Sequence, residues 1–458
     1  LPLLRDLGVN TIELMPVHDF PGDRNWGYDP AAFYAPARVY GTPADLAALV
    51  DEAHGLDMRV LLDVVYNHFG PDGAYLPAIA PEVLTDEHHN EWGKAIAFGG
   101  EIGEGVRSFF LENALLWLGD YRFDGLRLDA TFAIIDDSEE HFLAELARLA
   151  AALPGPRRIL IAEDPRNLRD LILPREEGGM GLDAVWADDF HHQVRVRLAG
   201  DDRAYFRDFS GSSHDIARTV EGNWFYTGQH SVNQDSPRGT PAADLDAEHF
   251  VYCIQNHDQV GNRPGGERLH HQIDAAGYRA ASALLLFVPQ LPLLFMGQEW
   301  AASAPFLYFT DHEGELGRAV SEGRKREFAG FGFDEGVPDP QAVQSFERSR
   351  LDWSEREREP HAGVLRLYRD LLRLRRDLRG PVEVAAVEDW GLLLGRGDRL
   401  LAVAFEPGAF VLPEGLELEW SSEDGSYASD PLPVVTDARR VEFRRAGAVL
   451  LRRGGERS

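Results

Sequence analysis

The stretch FDGLRLDATF, residues 123–132, decides the fold. Its apolar residues mark a buried strand. Arg127 and Asp129 sit two positions apart within it, and side chains alternate along a strand, so both point to one face. Burying a guanidinium and a carboxylate is costly unless each finds partners. Leu126 and Leu128 then face covering helices, and the charged pair faces the interior of a barrel.

Similar strands recur on either side. NTIELMPV (10–17), MRVLLDVVY (58–66), RILIAE (158–163), DAVWADD (183–189), HFVYCIQN (249–256) and LPLLFMG (291–297) are predicted as strands. Helical patterns separate them. In TPADLAALVDEAHG (42–55), Thr42 is the expected N-cap, Pro43 takes the first helical position and Gly55 is the stop. Leu46, Leu49, Val50 and Ala53 make its apolar face. SFFLENALLWLGDY (108–121), SEEHFLAELARLAAAL (138–153) and AAGYRAASALLLF (275–287) are further helices.

Strand–helix repetition with nearly continuous apolar strands implies an α/β protein with a covered parallel sheet. Seven strands are visible, where a closed (β/α)8 TIM barrel needs eight. The chain opens inside a helical pattern, PLLRDLG, without a methionine, so the first barrel strand is expected to be missing. An open doubly wound sheet is the alternative. Residues 1–380 are expected to form the barrel, with a short loop-rich excursion at 70–104 and an irregular segment at 301–360. After the helix HAGVLRLYRDLLRLRRDLRG (361–380), short alternating stretches predict a C-terminal antiparallel β-domain over 381–458.

Composition narrows the function. The 458 residues carry 76 acids and 46 bases, a formal charge of −30. That field repels nucleic acid and acidic membrane surfaces. Cys253 is the single cysteine. It allows no internal disulfide and no cysteine-based metal site, and fits a reducing, cytoplasmic home. No signal peptide or spanning helix is expected, because Pro289, Gln290 and Pro292 interrupt the longest apolar run.

The acids fall at strand ends. Asp63 closes RVLLD, Asp129 closes GLRLD, Glu163 closes ILIAE, and Asp258 follows YCIQNH. Singly, each is the ordinary acid of a loop or helix cap. Together, on the face where barrel enzymes do their chemistry, they are expected to converge. No GxxxxGK[ST] loop or strand–GxGxxG–helix accompanies them. Paired carboxylates suit glycoside hydrolysis, in which one attacks or assists and the other donates a proton. Trp26 and Tyr28, in RNWGYDP (24–30), offer aromatic faces for pyranose rings, or simply pack their loop. His191 and His192, in DDFHH (188–192), are adjacent and lack a metal-ligand spacing.

DVVYNH (63–68), GLRLDA (125–130), AED (162–164) and QNHDQVGNR (255–263) resemble, in order, the four conserved regions of the α-amylase superfamily of glycoside hydrolases. Within it, WADDFHHQVRV (186–196), FVYCIQNHDQVGNRPGGERL (250–269), FMGQEWAASAPFLYFTDH (295–312) and GELGRAVSEGRKREF (314–328) resemble the malto-oligosyltrehalose trehalohydrolase family. The resemblance implies a (β/α)8 barrel with a C-terminal β-sandwich. It implies cleavage of the α-1,4 bond next to a terminal trehalose, with malto-oligosyltrehalose as substrate. It further implies that Asp129 is the nucleophile, Glu163 the acid/base and Asp258 the third acid. Arg127 would bond to the nucleophile, His68 and His257 would contact the sugar, and Tyr28 would stack beneath it. Trp26 joins the sugar-binding set, His191 and His192 would line the leaving-group side, and Asp63 and Asn67 would order the loop after their strand.

Two departures from the common amylase pattern stand out. The Lys–His pair that often follows the nucleophile segment is replaced by ATFAI (130–134), and 70–104 has no acid cluster to bind calcium. No essential metal and no cofactor are therefore expected. The family's N-terminal β-domain would precede the first residue here. A transglycosylating relative, such as a branching enzyme, is one alternative. A non-catalytic binding member is another, disfavoured by the intact set of acids.

Overall fold

The structure is a computed structural model describing residues 1–100, 102–330, 336–437 and 439–453. Its contacts divide into two units. The first comprises Leu1–Trp186, Tyr308–Arg324 and Asp339–Ser345, and the second Ala187–Leu307, Lys325–Pro338 and Phe346–Ser458.

Five parallel strands build the first unit: β1 (Thr11–Leu14), β2 (Arg59–Val64), β3 (Gly125–Leu128), β4 (Ile159–Glu163) and β5 (Ala184–Trp186). Each pairs with the next in chain order. Helix α1 (Pro2–Leu7) precedes them, and the helices between them include α2 (Pro43–Gly55), α3 (Gly103–Leu115) and α4 (Phe142–Ala152). Thr42 caps α2 as expected: its side chain accepts the Asp45 N–H, and Asp45 returns a bond to the Thr42 backbone. This reciprocal capping box satisfies two orphan donors. Pro43 occupies the first helical position.

The β2–β3 register sets Asp63 beside Arg127 and Leu62 beside Leu126. Leu126, Arg127 and Leu128 are all fully buried. Gly125 must be glycine, because a Cβ there would lie 2.1 Å from the Ile159 carbonyl oxygen.

In the second unit β6 (Phe250–Cys253) and β7 (Leu291–Leu293) pair in parallel. Its helices include α5 (Asp189–Ala199), α6 (His257–Gly261), α7 (Ala275–Phe287) and α8 (His361–Arg375). α7 has its predicted bounds and is buried on nearly every face, which explains its lack of a polar stripe. Strand, helix and parallel strand in repetition are the build of a (β/α)8 barrel.

The C-terminal region is antiparallel. Strands β8 (Glu383–Val387), β9 (Gly391–Arg396), β10 (Arg399–Ala404), β11 (Gly408–Val411), β12 (Leu416–Ser421), β13 (Val435–Asp437), β14 (Arg440–Phe443) and β15 (Gly447–Arg453) form two sheets. One has the order β8-β9-β10-β15-β12, the other β11-β14-β13. Their core joins Ala402, Ala404, Val449 and Leu451 to Phe410, Leu412, Val441 and Phe443. This is the expected β-sandwich. Residues 454–458 of the predicted β-domain lie outside the described residues, as does Glu101 of the excursion.

Two segments are more ordered than their sequence suggests. The excursion at 70–104 contains a hairpin, Leu84–Asn90 with Gly93–Ile96. LTDEHHN has no apolar alternation, and backbone pairing alone makes it a strand. The 301–360 segment contains the helices Gly314–Gly330 and Val343–Arg348. GELGRAVSEGRKREFAG is rich in helix formers, but its glycines and scattered charges hide the apolar stripe. Predicted strands are also trimmed: 183–189 shrinks to β5 and 291–297 to β7.

Candidate active site

Three neighbouring strands deliver acids to one end of the first unit's sheet. Asp63 is the penultimate residue of β2, Asp129 follows β3, and Glu163 ends β4. Arg127 stands among them with no exposed surface. Its Nη1 donates to Asp63 Oδ1 at 2.9 Å, to Asp63 Oδ2 at 3.0 Å and to Asp129 Oδ1 at 2.7 Å. Its Nη2 lies 3.7 Å from Glu163 Oε2, beyond hydrogen-bond reach. The guanidinium also lies over the Trp186 ring, 4.4 Å from its centroid, which favours a cation in a dry site.

Two further carboxylate oxygens are engaged. Asn67 Nδ2 donates to Asp129 Oδ2 at 3.2 Å. The Ala130 N–H donates to Glu163 Oε2 at 2.7 Å. Ala130 has a φ of 41°, a left-handed conformation that costs a non-glycine residue. That turn aims the N–H at Glu163. Tyr28 closes the set: its hydroxyl donates to Asp63 Oδ2 at 2.5 Å.

Burial works against the Arg127 charge, but Asp63 above all, with Tyr28, Asp129 and Glu163, holds its pKa well above the ordinary value. Burial raises the Asp63 carboxyl, and Arg127 pulls it back. Glu13, on β1, is pushed up to about 7 by burial, again opposed by Arg127. One arginine thus serves four acids.

The expected sugar-side residues divide between the units. In the first, His68 is buried, and its Nε2–H donates to the Tyr28 carbonyl at 2.9 Å. Burial lowers its pKa, so the ring is neutral at pH 7. Trp26 is 4% exposed, with Tyr28 and Tyr308 edge-on at 6.5 and 5.2 Å. Its faces are occupied by protein. In the second unit, Asn256 caps α6 by accepting the Gln259 N–H at 2.7 Å. Asp258 lies in that first turn with its side chain 41% exposed, and His257 Nε2 is 3.4 Å from its carboxylate. His191 and His192 are buried on α5, their Nδ1 atoms 3.1 Å apart. Burial drives both rings well below the usual imidazole pKa.

Trp92 is a residue the sequence reading did not single out. It sits at the turn of the excursion hairpin, 46% exposed. Its ring stacks on His68, with centroids 4.6 Å apart and planes at 2°. Asn90 Nδ2 donates to the Asn67 carbonyl at 3.1 Å and seats the hairpin beside the acids. A lone tryptophan within HHNEWGK was the available signal. Among the described residues no group of three or more His, Cys, Asp or Glu side chains is arranged to hold a metal ion. Nor, among them, is any helix long and apolar enough to cross a membrane.

Comparison with known proteins bears on this geometry. Residues 1–92 match the alpha amylase catalytic domain family. A Deinococcus radiodurans malto-oligosyltrehalose trehalohydrolase is 53% identical over 82% of this chain and 62% of its own length. The Arthrobacter ramosus enzyme of that name is 43% identical over 89% of this chain and 72% of its own. A Thiobacillus denitrificans 1,4-alpha-glucan branching enzyme is 35% identical over 41% of this chain and 28% of its own length. The solved structure of a putative alpha amylase from Salmonella typhimurium superposes with a TM-score of 0.88 at 36% identity, over 98% of this chain and 77% of that one. The chain thus spans about three fifths of the Deinococcus relative's length. On sequence and fold together, it belongs to the malto-oligosyltrehalose trehalohydrolase family of the α-amylase superfamily.

Proposed function

We propose that this chain carries the catalytic machinery of a retaining glycoside hydrolase. It cleaves the α-1,4-glucosidic bond next to the terminal trehalose of a malto-oligosyltrehalose. The observation that carries this reading is the Arg127 guanidinium, which bonds to Asp129 and reaches toward Glu163. Asp129 and Glu163 stand at the ends of neighbouring strands around that cation, which supports a double-displacement reading.

In the first step an Asp129 oxygen bonds to the anomeric carbon. The bond from that carbon to the trehalose oxygen breaks, and Glu163 gives its proton to that oxygen. In the second, Glu163 takes a proton from water, the water oxygen bonds to the anomeric carbon, and the bond to Asp129 breaks. Configuration is inverted twice and so retained. Arg127 and Asn67 hold Asp129 in line for attack. Asp63 positions Arg127 and, through its hydroxyl contact, Tyr28.

Tyr28 lies beneath the cleaved sugar, with Trp26 buttressing it. His68 binds that sugar's hydroxyls, and the family resemblance assigns sugar binding to His257 and Asp258, with ring distortion to Asp258. His191 and His192 shape the leaving-group side. Trehalose and a shorter maltodextrin are the products, so the enzyme serves trehalose biosynthesis in the cytoplasm.

The test incubates the full-length protein with malto-oligosyltrehalose and, separately, with maltopentaose. Free trehalose from the first and little hydrolysis of the second is the expected result. New α-1,6 branches without trehalose would instead establish the branching alternative.

A further inference from the structure

The loop that carries Tyr28 is fixed from two directions. From the sheet side, His18 Nε2 donates to the Gly27 carbonyl at 2.6 Å, His68 to the Tyr28 carbonyl, and the Tyr28 hydroxyl to Asp63. Gly27, with a φ of 101°, would place a Cβ 2.4 Å from the Pro16 carbonyl oxygen. The turn has one available path.

From the other direction comes a segment nearly 300 positions later that packs within the same unit. Asp311 Oδ2 accepts the Asp23 N–H at 2.8 Å. Arg24 pairs with Asp311 at 2.6 Å and donates to the Gln341 carbonyl at 2.6 Å. Gln341 Oε1 accepts the His312 N–H at 2.7 Å. His312 Nε2 meets Asp29 Oδ2 at 3.3 Å. Asp29 also accepts from Asn25 Nδ2 at 2.7 Å, and Asn25 Oδ1 accepts the Gly27 N–H at 2.7 Å. A continuous chain of bonds runs from His312 through Asp29 and Asn25 to the N–H of Gly27, the residue before Tyr28.

We propose that His312, acting through Asp29, is a positioning residue that holds Tyr28 at its working height under the bound sugar. The proposal rests on Tyr28 having the role given above. The His312 side chain is 1% exposed, and its Nδ1 has no hydrogen-bond partner. Its one side-chain hydrogen bond is therefore spent on Asp29. A buried carboxylate that loses such a partner must protonate, turn or draw in water, and each outcome shifts the turn it anchors. Burial works against the His312 cation, but the Asp29 bond and the charges of Asp29, Asp72 and Asp311 outweigh it and raise the pKa. The same bond, with that from Asn25, lowers the Asp29 pKa against burial. The two shifts run in the directions that favour an Asp29–His312 ion pair.

The experiment compares wild type, His312→Ala, His312→Gln, Asp29→Asn and the His312→Ala/Asp29→Asn pair in the full-length enzyme. Initial rates on malto-oligosyltrehalose are followed from pH 5 to 9, with Asp129→Asn as the control. His312→Ala should lower kcat/KM about tenfold, mostly through KM, the scale of one lost charge-assisted bond. The alkaline fall in kcat/KM due to His312 should vanish with it. Gln keeps an N–H donor and should recover most of the loss. The double variant should be no worse than either single one. Should His312→Ala fail to fold, Gln and Asp29→Asn read the same coupling. Wild-type KM in His312→Ala or Asp29→Asn, a wild-type alkaline fall in His312→Gln, or a lowered melting point alone, overturns the proposal provided Asp129→Asn is inactive. An active Asp129→Asn would instead remove the functional reading beneath it.

Discussion

Arg127 and the His191–His192 pair are both titratable clusters buried deep in the molecule, and they meet that cost in opposite ways. Arg127 keeps its charge. It is surrounded by Asp63, Asp129 and Glu163 and capped by the Trp186 ring. The histidines lose theirs. Their rings pack against each other and against Tyr205, Phe206 and Phe209, and burial disfavours a proton on both, aided by Arg195 at each, by Arg263 at His191 and by Arg238 at His192. Burial alone thus says little about function. A buried group kept charged needs a constellation of counter-charges, and such constellations mark reactive sites more often than neutral ones do.

The contrast breaks first at the acids. Asp129→Asn and Glu163→Gln should each lower kcat by several orders of magnitude while leaving the fold intact, checked by trehalose release and circular dichroism. Near-normal turnover in either would reduce the Arg127 cluster to a structural network. Arg127→Met comes next. It leaves three carboxylates without their shared cation and should destabilise the protein by about 3–5 kcal/mol, measured by urea unfolding. Solubility and stability like the wild type's would show that the acids are neutral in the folded protein.

The histidines should respond to pH instead. Their folded pKa values are depressed, so the unfolded chain binds more protons near pH 6. Stability is full above the unfolded value of about 6.5 and is lost as pH falls below it. His191→Leu/His192→Phe should therefore flatten the fall in melting temperature between pH 7 and 5. The smallest effect is expected at His312, with the opposite sign. Its folded pKa is raised, so its contribution is complete below about 6.5 and is lost as pH rises through the folded value. His312→Gln should flatten the alkaline side of the melting curve and leave the acid side unchanged. Matching slopes at the two sites would end the distinction between them.

Much of the site was legible because a strand's period of two is strict. Arg127 and Asp129 had to share a face, and an acid at each of several strand ends had to meet the same edge of a parallel sheet. The polar excursion was illegible as structure. Its hairpin at Leu84–Ile96 comes from backbone pairing, which leaves no mark on side-chain pattern. The stacking of Trp92 on His68 was invisible for the same reason. So was the tie from His312 to Asp29, across 283 residues, because no periodicity relates those positions.

By itself, then, the sequence determined the α/β strand–helix rhythm, the antiparallel C-terminal sheets, the acids at the strand ends and the arginine among them. These follow from local alternation, capping and the cost of unpaired charge. Only the tertiary structure decided which oxygen each donor reaches. It set Tyr28 on Asp63, buried Trp26 against its neighbours, left the His191–His192 rings neutral and tied the Tyr28 loop down from a distant segment. Such choices depend on packing between residues far apart in the chain, where a shift of an ångström separates a hydrogen bond from a mere contact.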